Sequence, residues 1–122
     1  MRRARLYVEA GADAVFPEAL ENADEFAAFA RELAPVPLLA NMTEFGRSPL
    51  LDFATLAGMG YRMVLYPVTA LRAALRAAEA VLAEVLSKGH QRDCLPKMLT
   101  RAELYQLLDY EGYETRDRAY FG

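Results

Sequence analysis

Three short apolar segments recur along the chain at similar spacing, and they limit the possible folds more than any other feature. They begin near residues 14, 37 and 62. Each is long enough for one buried strand and too short for a helix of usual length. Segments with helical periodicity lie between them. Strands that alternate with helices at this spacing predict βαβ units in a parallel sheet, so the expected fold class is α/β.

The first two interstrand segments carry helix start signals. Asn22, followed by Glu25 three residues later, resembles a capping box and predicts a helix over residues 22–33. Ser48 directly before Pro49 predicts the start of the next helix, because proline is favoured at the first helical position.

The third strand is followed by a long predicted helix over residues 70–88, for which Thr69 is the expected N-cap. The spacing of its apolar residues indicates one buried face, formed by Leu71, Leu75, Ala78, Leu82 and Val85. Residues 90–122 are irregular and then helical, and they contain four tyrosines. An aromatic-rich tail outside the sheet indicates a docking element, because tyrosine and arginine are enriched at interfaces.

Three short parallel strands cannot form a complete sheet on their own. They leave two unpaired edges, and a closed parallel barrel needs eight strands. Two arrangements follow from this count. Either the chain is part of a barrel, or another chain completes its sheet.

Charge and composition exclude several classes of function. The net charge of −3 and the pI of about 5.2 argue against a nucleic-acid-binding surface, which needs clustered basic residues. The single cysteine, Cys94, excludes an internal disulfide and a multi-cysteine zinc site. No apolar stretch approaches the length of a membrane span, and the N-terminus lacks a signal-peptide pattern. We therefore expect a cytoplasmic protein without membrane or nucleic-acid partners.

Polar side chains follow each predicted strand at its carboxyl end, where parallel α/β sheets hold ligands. They are Glu18 after the first strand, Asn41, Thr43 and Glu44 after the second, and Thr69 and Arg72 after the third. Each also has a structural interpretation. Glu18 can stabilise a nearby helix start, Thr69 can be only a cap, and Arg72 can be a solvated charge.

These residues can be combined into a pocket for a small anionic organic acid. Asn41 and Thr43 can donate hydrogen bonds to a carboxylate. Arg72 or Arg101 can pair with the same carboxylate bidentately. Glu18 can accept a hydrogen bond from a hydroxyl group or a water molecule.

The pocket has no convincing general base, so no catalytic residue is assigned. The only histidine, His90, lies in the irregular segment and is expected to be an exposed loop residue. Cys94 is expected to be a packed or surface thiol rather than a nucleophile. The sequence has no paired-aspartate metal site and no glycine-rich phosphate loop.

Four segments resemble the isocitrate lyase and phosphoenolpyruvate mutase superfamily, and within it the 2-methylisocitrate lyase branch. They are residues 16–19, 39–45, 65–72 and 98–105. Neighbouring branches, such as phosphonomutases and oxaloacetate decarboxylases, have similar strand ends. The resemblance implies a (β/α)8 TIM barrel that cleaves methylisocitrate to pyruvate and succinate in propionate catabolism. It also implies a requirement for Mg²⁺ and a homo-oligomer whose C-terminal helices are exchanged between subunits.

The resemblance further implies which residues contact the organic acid. Carried over motif by motif, the substrate-binding residues are Glu18, Asn41, Met42, Thr43, Arg72 and Arg101. The domain division that follows is a partial TIM barrel of about three βα units over residues 1–89 and a C-terminal helical extension over residues 90–122. The extension is expected to be exchanged or docked between subunits.

Two motifs of this family are not found in the sequence. They are the magnesium-binding aspartates and the Lys-Lys-Cys-Gly-His segment that holds the catalytic cysteine. We therefore expect the chain to be inactive alone, as a fragment of the lyase. The alternatives are a non-catalytic module that binds a dicarboxylate or docks on a lyase subunit, and a chain completed by a separate half.

Overall fold

A computed structural model describes residues 1–121, which form α-helices and one short parallel sheet. The elements in chain order are α1 (Arg2–Glu9), α2 (Ala23–Leu33), β1 (Leu39–Asn41), α3 (Phe53–Met59), β2 (Met63–Leu65), α4 (Thr69–Lys88), a 3-10 helix (Arg92–Lys97), α5 (Arg101–Leu107) and α6 (Tyr110–Phe121). The chain divides into two compact units, the first running Met1–Ala74 and the second starting at Leu75. No helix among the described residues is long and apolar enough to cross a lipid bilayer.

The sheet is parallel, as expected, but its first strand is reduced to a single bridge. Strands β1 and β2 pair in parallel with Asn41 opposite Leu65. The predicted first strand contributes only Val15, which bridges Leu38 in parallel. Pro17 and Pro37 flank this bridge and have no N–H to donate, so the ladder cannot extend through them.

The cap of α2 is confirmed. The Asn22 side chain accepts a hydrogen bond from the Glu25 backbone N–H at 2.9 Å. Behind this cap, α2 buries its apolar face, and the buried residues of the helix are Phe26, Ala30 and Leu33. These residues belong to the hydrophobic core that also contains Leu38 and Ala40.

The predicted start of the second interstrand helix is wrong. Helix α3 begins after Asp52, whose carboxylate accepts a hydrogen bond from the Thr55 N–H at 2.8 Å. Ser48 lies five residues before the helix. The Leu51 side chain packs against the core and its N–H points to the Met42 sulfur at 3.2 Å, which keeps the chain before Asp52 out of the helix.

The core of the first unit lies between the sheet and helices α2 and α3. Its largest fully buried side chains are Phe26, Leu38, Met42 and Leu56. The rings of Phe26 and Tyr61 lie 5.6 Å apart, and the Tyr61 hydroxyl donates to the Phe26 carbonyl oxygen at 3.3 Å. Burial raises the pKa of Tyr61 to about 12, so the hydroxyl stays protonated and remains a donor.

The predicted buried face of α4 is not buried. No residue of α4 is buried, and Leu71, Leu75 and Leu82 are each more than half exposed. Periodicity identifies a face that suits burial, but it does not identify the surface that covers it. Among the described residues, no element covers this face.

Candidate functional site

The carboxyl ends of the strands meet at one edge of the first unit, which we call the strand-end rim. It consists of Glu18, Asn41, Glu44, Thr69 and Arg72. Asn41 is the last residue of β1 and lies opposite Leu65, the last residue of β2. The parallel register therefore brings the residues after β1 and after β2 to the same edge of the sheet.

Asn41 connects two strand ends. Its side-chain nitrogen donates to the Glu18 carboxylate at 3.5 Å, and Glu18 also accepts from the Ala19 N–H at 3.1 Å. The Asn41 side-chain oxygen is buried and has no hydrogen-bond partner among the described residues. Because a buried amide oxygen without a partner is costly, this atom is a candidate acceptor for a ligand donor.

Glu44 connects the end of β1 to the start of α4. Its carboxylate accepts hydrogen bonds from the Thr69 hydroxyl and from Arg72 Nη1, the latter at 2.6 Å. The same Arg72 nitrogen donates to the Glu44 carbonyl oxygen at 2.8 Å. The hydrogen bond from Thr69, together with that from Arg72, holds the pKa of Glu44 below its usual range, so the carboxylate is charged at neutral pH.

Two sequence-based interpretations change with this contact. The predicted N-cap role of Thr69 is wrong: Thr69 is the first residue of α4, and its hydroxyl donates a hydrogen bond to the Glu44 carboxylate. Arg72 is ion-paired rather than simply solvated. The order of strands in the sequence predicts that Glu44, Thr69 and Arg72 lie on one edge, but it does not predict the pair between Glu44 and Arg72. The only signal was their separation by about one βα unit, which does not specify a contact.

Phe45 and Thr43 flank these contacts. The Arg72 guanidinium carbon lies 5.3 Å from the centre of the Phe45 ring, within the range of a cation–π contact. Phe45 is 95 % exposed and has a φ of +61°, which is rare for a residue with a side chain. Thr43 is half-buried beside it. The rim therefore presents one aromatic ring to solvent next to the arginine.

Met42 belongs to the core rather than to the open edge. Its side chain is buried and its sulfur is 3.2 Å from the Leu51 nitrogen. Its N–H donates to the Leu65 carbonyl oxygen at 2.9 Å. Any ligand contact of this residue therefore has to involve its remaining backbone atoms, and its main structural effect is to fix the β1 end against β2.

Arg101 lies in the second unit, at the first turn of α5. It is exposed, and it follows Thr100, whose N-cap hydrogen bonds with Glu103 form a capping box. The rim residues all lie in the first unit. Arg101 is therefore the one predicted substrate-binding residue in the second unit, and the other five lie in the first unit.

His90 and Cys94 lie between α4 and α5 and are partly or fully buried. His90 lies in a loop, as expected, but it is half-buried rather than exposed, and its Nδ1 has no hydrogen-bond partner among the described residues. It directly follows Gly89, whose φ of +70° turns the chain at the end of α4. Cys94 is buried in the 3-10 helix, which agrees with a packed thiol.

The described residues do not fit a Mg²⁺ centre. They contain no group of three or more His, Cys, Asp or Glu side chains that could hold a metal ion. In the strand-end rim, the Glu44 carboxylate pairs with the Arg72 guanidinium, whose positive charge opposes a divalent cation at the same oxygen atoms.

Comparisons with known proteins identify the family to which the chain is similar. The family profile of phosphoenolpyruvate phosphomutase matches residues 1–86. The chain is 52 % identical over 117 residues to the 2-methylisocitrate lyase of Aeropyrum pernix. That alignment covers 96 % of this chain and 38 % of the relative, so the chain spans less than half the length of the enzyme that it matches.

Solved structures of the same superfamily also match the chain. The chain matches 2,3-dimethylmalate lyase, a member of the phosphoenolpyruvate mutase/isocitrate lyase superfamily, with a TM-score of 0.82 and 30 % identity over 97 % of this chain and 41 % of that one. It matches phosphonopyruvate hydrolase in complex with oxalate and Mg²⁺ with a TM-score of 0.78 and 29 % identity over 99 % of this chain and 43 % of that one. The expected α/β fold class is thereby confirmed. The chain belongs to the phosphoenolpyruvate mutase/isocitrate lyase superfamily.

Proposed function

We propose that this chain supplies the carboxylate-binding strand ends of a 2-methylisocitrate lyase-like enzyme. The observation that carries the proposal is the linkage of three successive strand ends by side-chain contacts. Asn41 contacts Glu18, and Glu44 contacts both Thr69 and Arg72. The identity of 52 % to a 2-methylisocitrate lyase supports this branch of the superfamily.

The chemistry of the rim suits a small organic acid. Arg72 offers N–H groups in a planar fork that matches a carboxylate, while Asn41 and Thr43 offer an amide and a hydroxyl group. Glu18 can accept a hydrogen bond from a substrate hydroxyl. Methylisocitrate carries both groups, and its cleavage products, pyruvate and succinate, keep carboxylates. We include Met42 and Arg101 in the proposed substrate-binding set because of the family resemblance.

The cleavage reaction itself requires groups that these residues do not supply. Relatives are more than twice as long, and the related phosphonopyruvate hydrolase binds Mg²⁺ together with oxalate. We propose that the metal ligands and the acid–base thiol belong to the remainder of a (β/α)8 barrel, of which residues 1–89 form three βα units. The chain alone is then a binding element and does not turn over methylisocitrate.

The first experiment is an NMR titration of the ¹⁵N-labelled chain with succinate and with oxalate. The proposal predicts saturable shift changes at the amides of Asn41 and Thr43 and at the side chain of Arg72. Shift changes that are absent at millimolar ligand, or confined to residues outside the rim, would contradict it. An assay of methylisocitrate cleavage with Mg²⁺ is expected to give no turnover by the chain alone.

Association with a lyase subunit or with a second copy of the chain is a second proposal. It is favoured by the exposed leucines of α4, Leu71, Leu75 and Leu82, which form a regular stripe. The docking role proposed for residues 90–122 belongs to the same hypothesis. Sedimentation of the chain at two concentrations tests it, and a monomer at both concentrations would argue against self-association.

A further inference from the structure

Glu44 accepts two hydrogen bonds from the same nitrogen of Arg72. Arg72 Nη1 donates to the Glu44 carboxylate at 2.6 Å and to the Glu44 carbonyl oxygen at 2.8 Å. No other hydrogen bond of this guanidinium occurs among the described residues. Glu44, in the loop that follows β1, therefore accepts hydrogen bonds from both N–H groups of Arg72 Nη1.

This arrangement leaves the opposite edge of the guanidinium open. A guanidinium has five N–H groups in one plane, two on each terminal nitrogen and one on Nε. With both N–H groups of Nη1 used by Glu44, the Nε and Nη2 groups remain. These two groups form an edge whose spacing matches the two oxygen atoms of a carboxylate. Glu44 thus fixes which edge of Arg72 is available to a ligand.

Two further contacts hold this geometry. The Thr69 hydroxyl, one turn before Arg72 on α4, donates to the other oxygen of the Glu44 carboxylate. The Phe45 ring lies 5.3 Å from the guanidinium carbon. The carboxylate is therefore fixed from α4, and the guanidinium has an aromatic ring as a neighbour.

We propose that Glu44 is a positioning residue, which orients Arg72 so that its Nε–Nη2 edge receives the carboxylate of a small organic acid. This inference rests on the proposed function, because it assigns the ligand-binding role to Arg72. Glu44 itself does not touch the ligand.

Whether removal of the Glu44 side chain strengthens or weakens anion binding distinguishes a positioning role of Glu44 from a purely electrostatic one. Glu44 is negative, so its removal raises the local positive charge and by Coulomb attraction favours an anion. If Glu44 instead acts by orienting Arg72, its removal allows the guanidinium to rotate and weakens anion binding. The two effects therefore oppose each other.

The experiment is a calorimetric titration of oxalate into the wild-type chain, Glu44→Ala and Glu44→Gln at fixed ionic strength. We expect Glu44→Ala to bind about tenfold more weakly. Glu44→Gln keeps one carbonyl oxygen as an acceptor for Arg72 and is expected to fall between the two. Unchanged or tighter binding in Glu44→Ala overturns the proposal.

The matched control is Glu79→Ala. Glu79 also pairs with an arginine of α4, Arg76, at 2.6 Å, and both side chains are largely exposed. This variant also removes one carboxylate that is paired with an arginine of α4, but it leaves Arg72 and its contacts unchanged. It is expected to bind oxalate like the wild type, and a loss equal to that of Glu44→Ala would count against a specific role of Glu44.

A second measurement does not depend on ligand binding. The Arg72 Nε–Hε signal in ¹⁵N NMR spectra is expected to show an ordered side chain in the wild type and a mobile one in Glu44→Ala. Equal mobility in the two proteins overturns the positioning role. If the wild type does not bind oxalate but its Arg72 side chain is ordered and becomes mobile in Glu44→Ala, the proposed function is contradicted while the positioning of Arg72 by Glu44 stands.

Discussion

The side-chain amide of Asn41 donates to the carboxylate of Glu18 over 3.5 Å, although 23 residues separate them in the sequence. The contact joins the segment after the Val15 bridge to the last residue of β1. The Asn41 oxygen remains buried without a hydrogen-bond partner among the described residues. One side chain therefore both links two strand ends and retains an acceptor for a ligand.

Asn41→Asp is expected to weaken oxalate binding by about tenfold or more, because the new carboxylate faces both Glu18 and an anionic ligand. Calorimetry measures the effect. Asn22→Asp is the matched control, since aspartate caps a helix as well as asparagine does and the same charge is added. Equal binding in the two variants would show that Asn41 does not face the ligand.

Leu56→Ala is expected to lower the free energy of unfolding by about 2–5 kcal/mol, because Leu56 is fully buried and its truncation leaves a cavity. Leu50→Ala, at a position 63 % exposed in the same unit, is expected to change it by about 0.5 kcal/mol or less. Urea denaturation followed by circular dichroism measures both variants. Similar losses in the two would contradict the position of the core.

Asp52→Ala is expected to lower the urea midpoint, because it removes the acceptor that caps α3. Ser48→Ala is expected to leave the midpoint unchanged, since Ser48 lies outside the helix. A larger loss of midpoint in Ser48→Ala than in Asp52→Ala would indicate that the helix begins at Ser48-Pro49, as the sequence predicts.

The same cap predicts a pH dependence of stability. Hydrogen bonds from Thr55 hold the pKa of Asp52 below its ordinary value of 3.8. A depressed pKa means that the stabilisation is complete above pH 3.8 and is lost as the pH falls through the lower pKa of the folded state. Asp52→Asn keeps a cap that does not titrate, so its urea midpoint is expected to fall less between pH 5 and pH 2.5. Parallel pH profiles would contradict this assignment.

Local signals in the sequence predicted the structure well where a single segment determines the outcome. The Asn22 cap depends on a contact three residues along the chain, and it is confirmed. The alternation of strands and helices predicts that Asn41 and Arg72 lie at one edge of the sheet. The superfamily followed from short motifs at those same strand ends.

Predictions failed where distant residues compete with a local signal. Ser48-Pro49 is a good helix start, but the contact of Leu51 with the core delays the helix until Asp52. The Thr69 hydroxyl bonds Glu44, which lies 25 residues away and is not visible in the local pattern. The apolar stripe of α4 was identified, but its partner surface is not among the described residues.

The central claim is that Arg72 binds a carboxylate through a fixed, planar edge rather than through charge alone. The most direct measurement is a calorimetric titration of oxalate into the wild type, Arg72→Lys and Arg76→Lys. Lysine keeps the charge but not the bidentate fork, so Arg72→Lys is expected to bind about tenfold more weakly, while Arg76→Lys binds like the wild type. Equal affinity in all three proteins, or no wild-type binding at millimolar oxalate, would contradict the account.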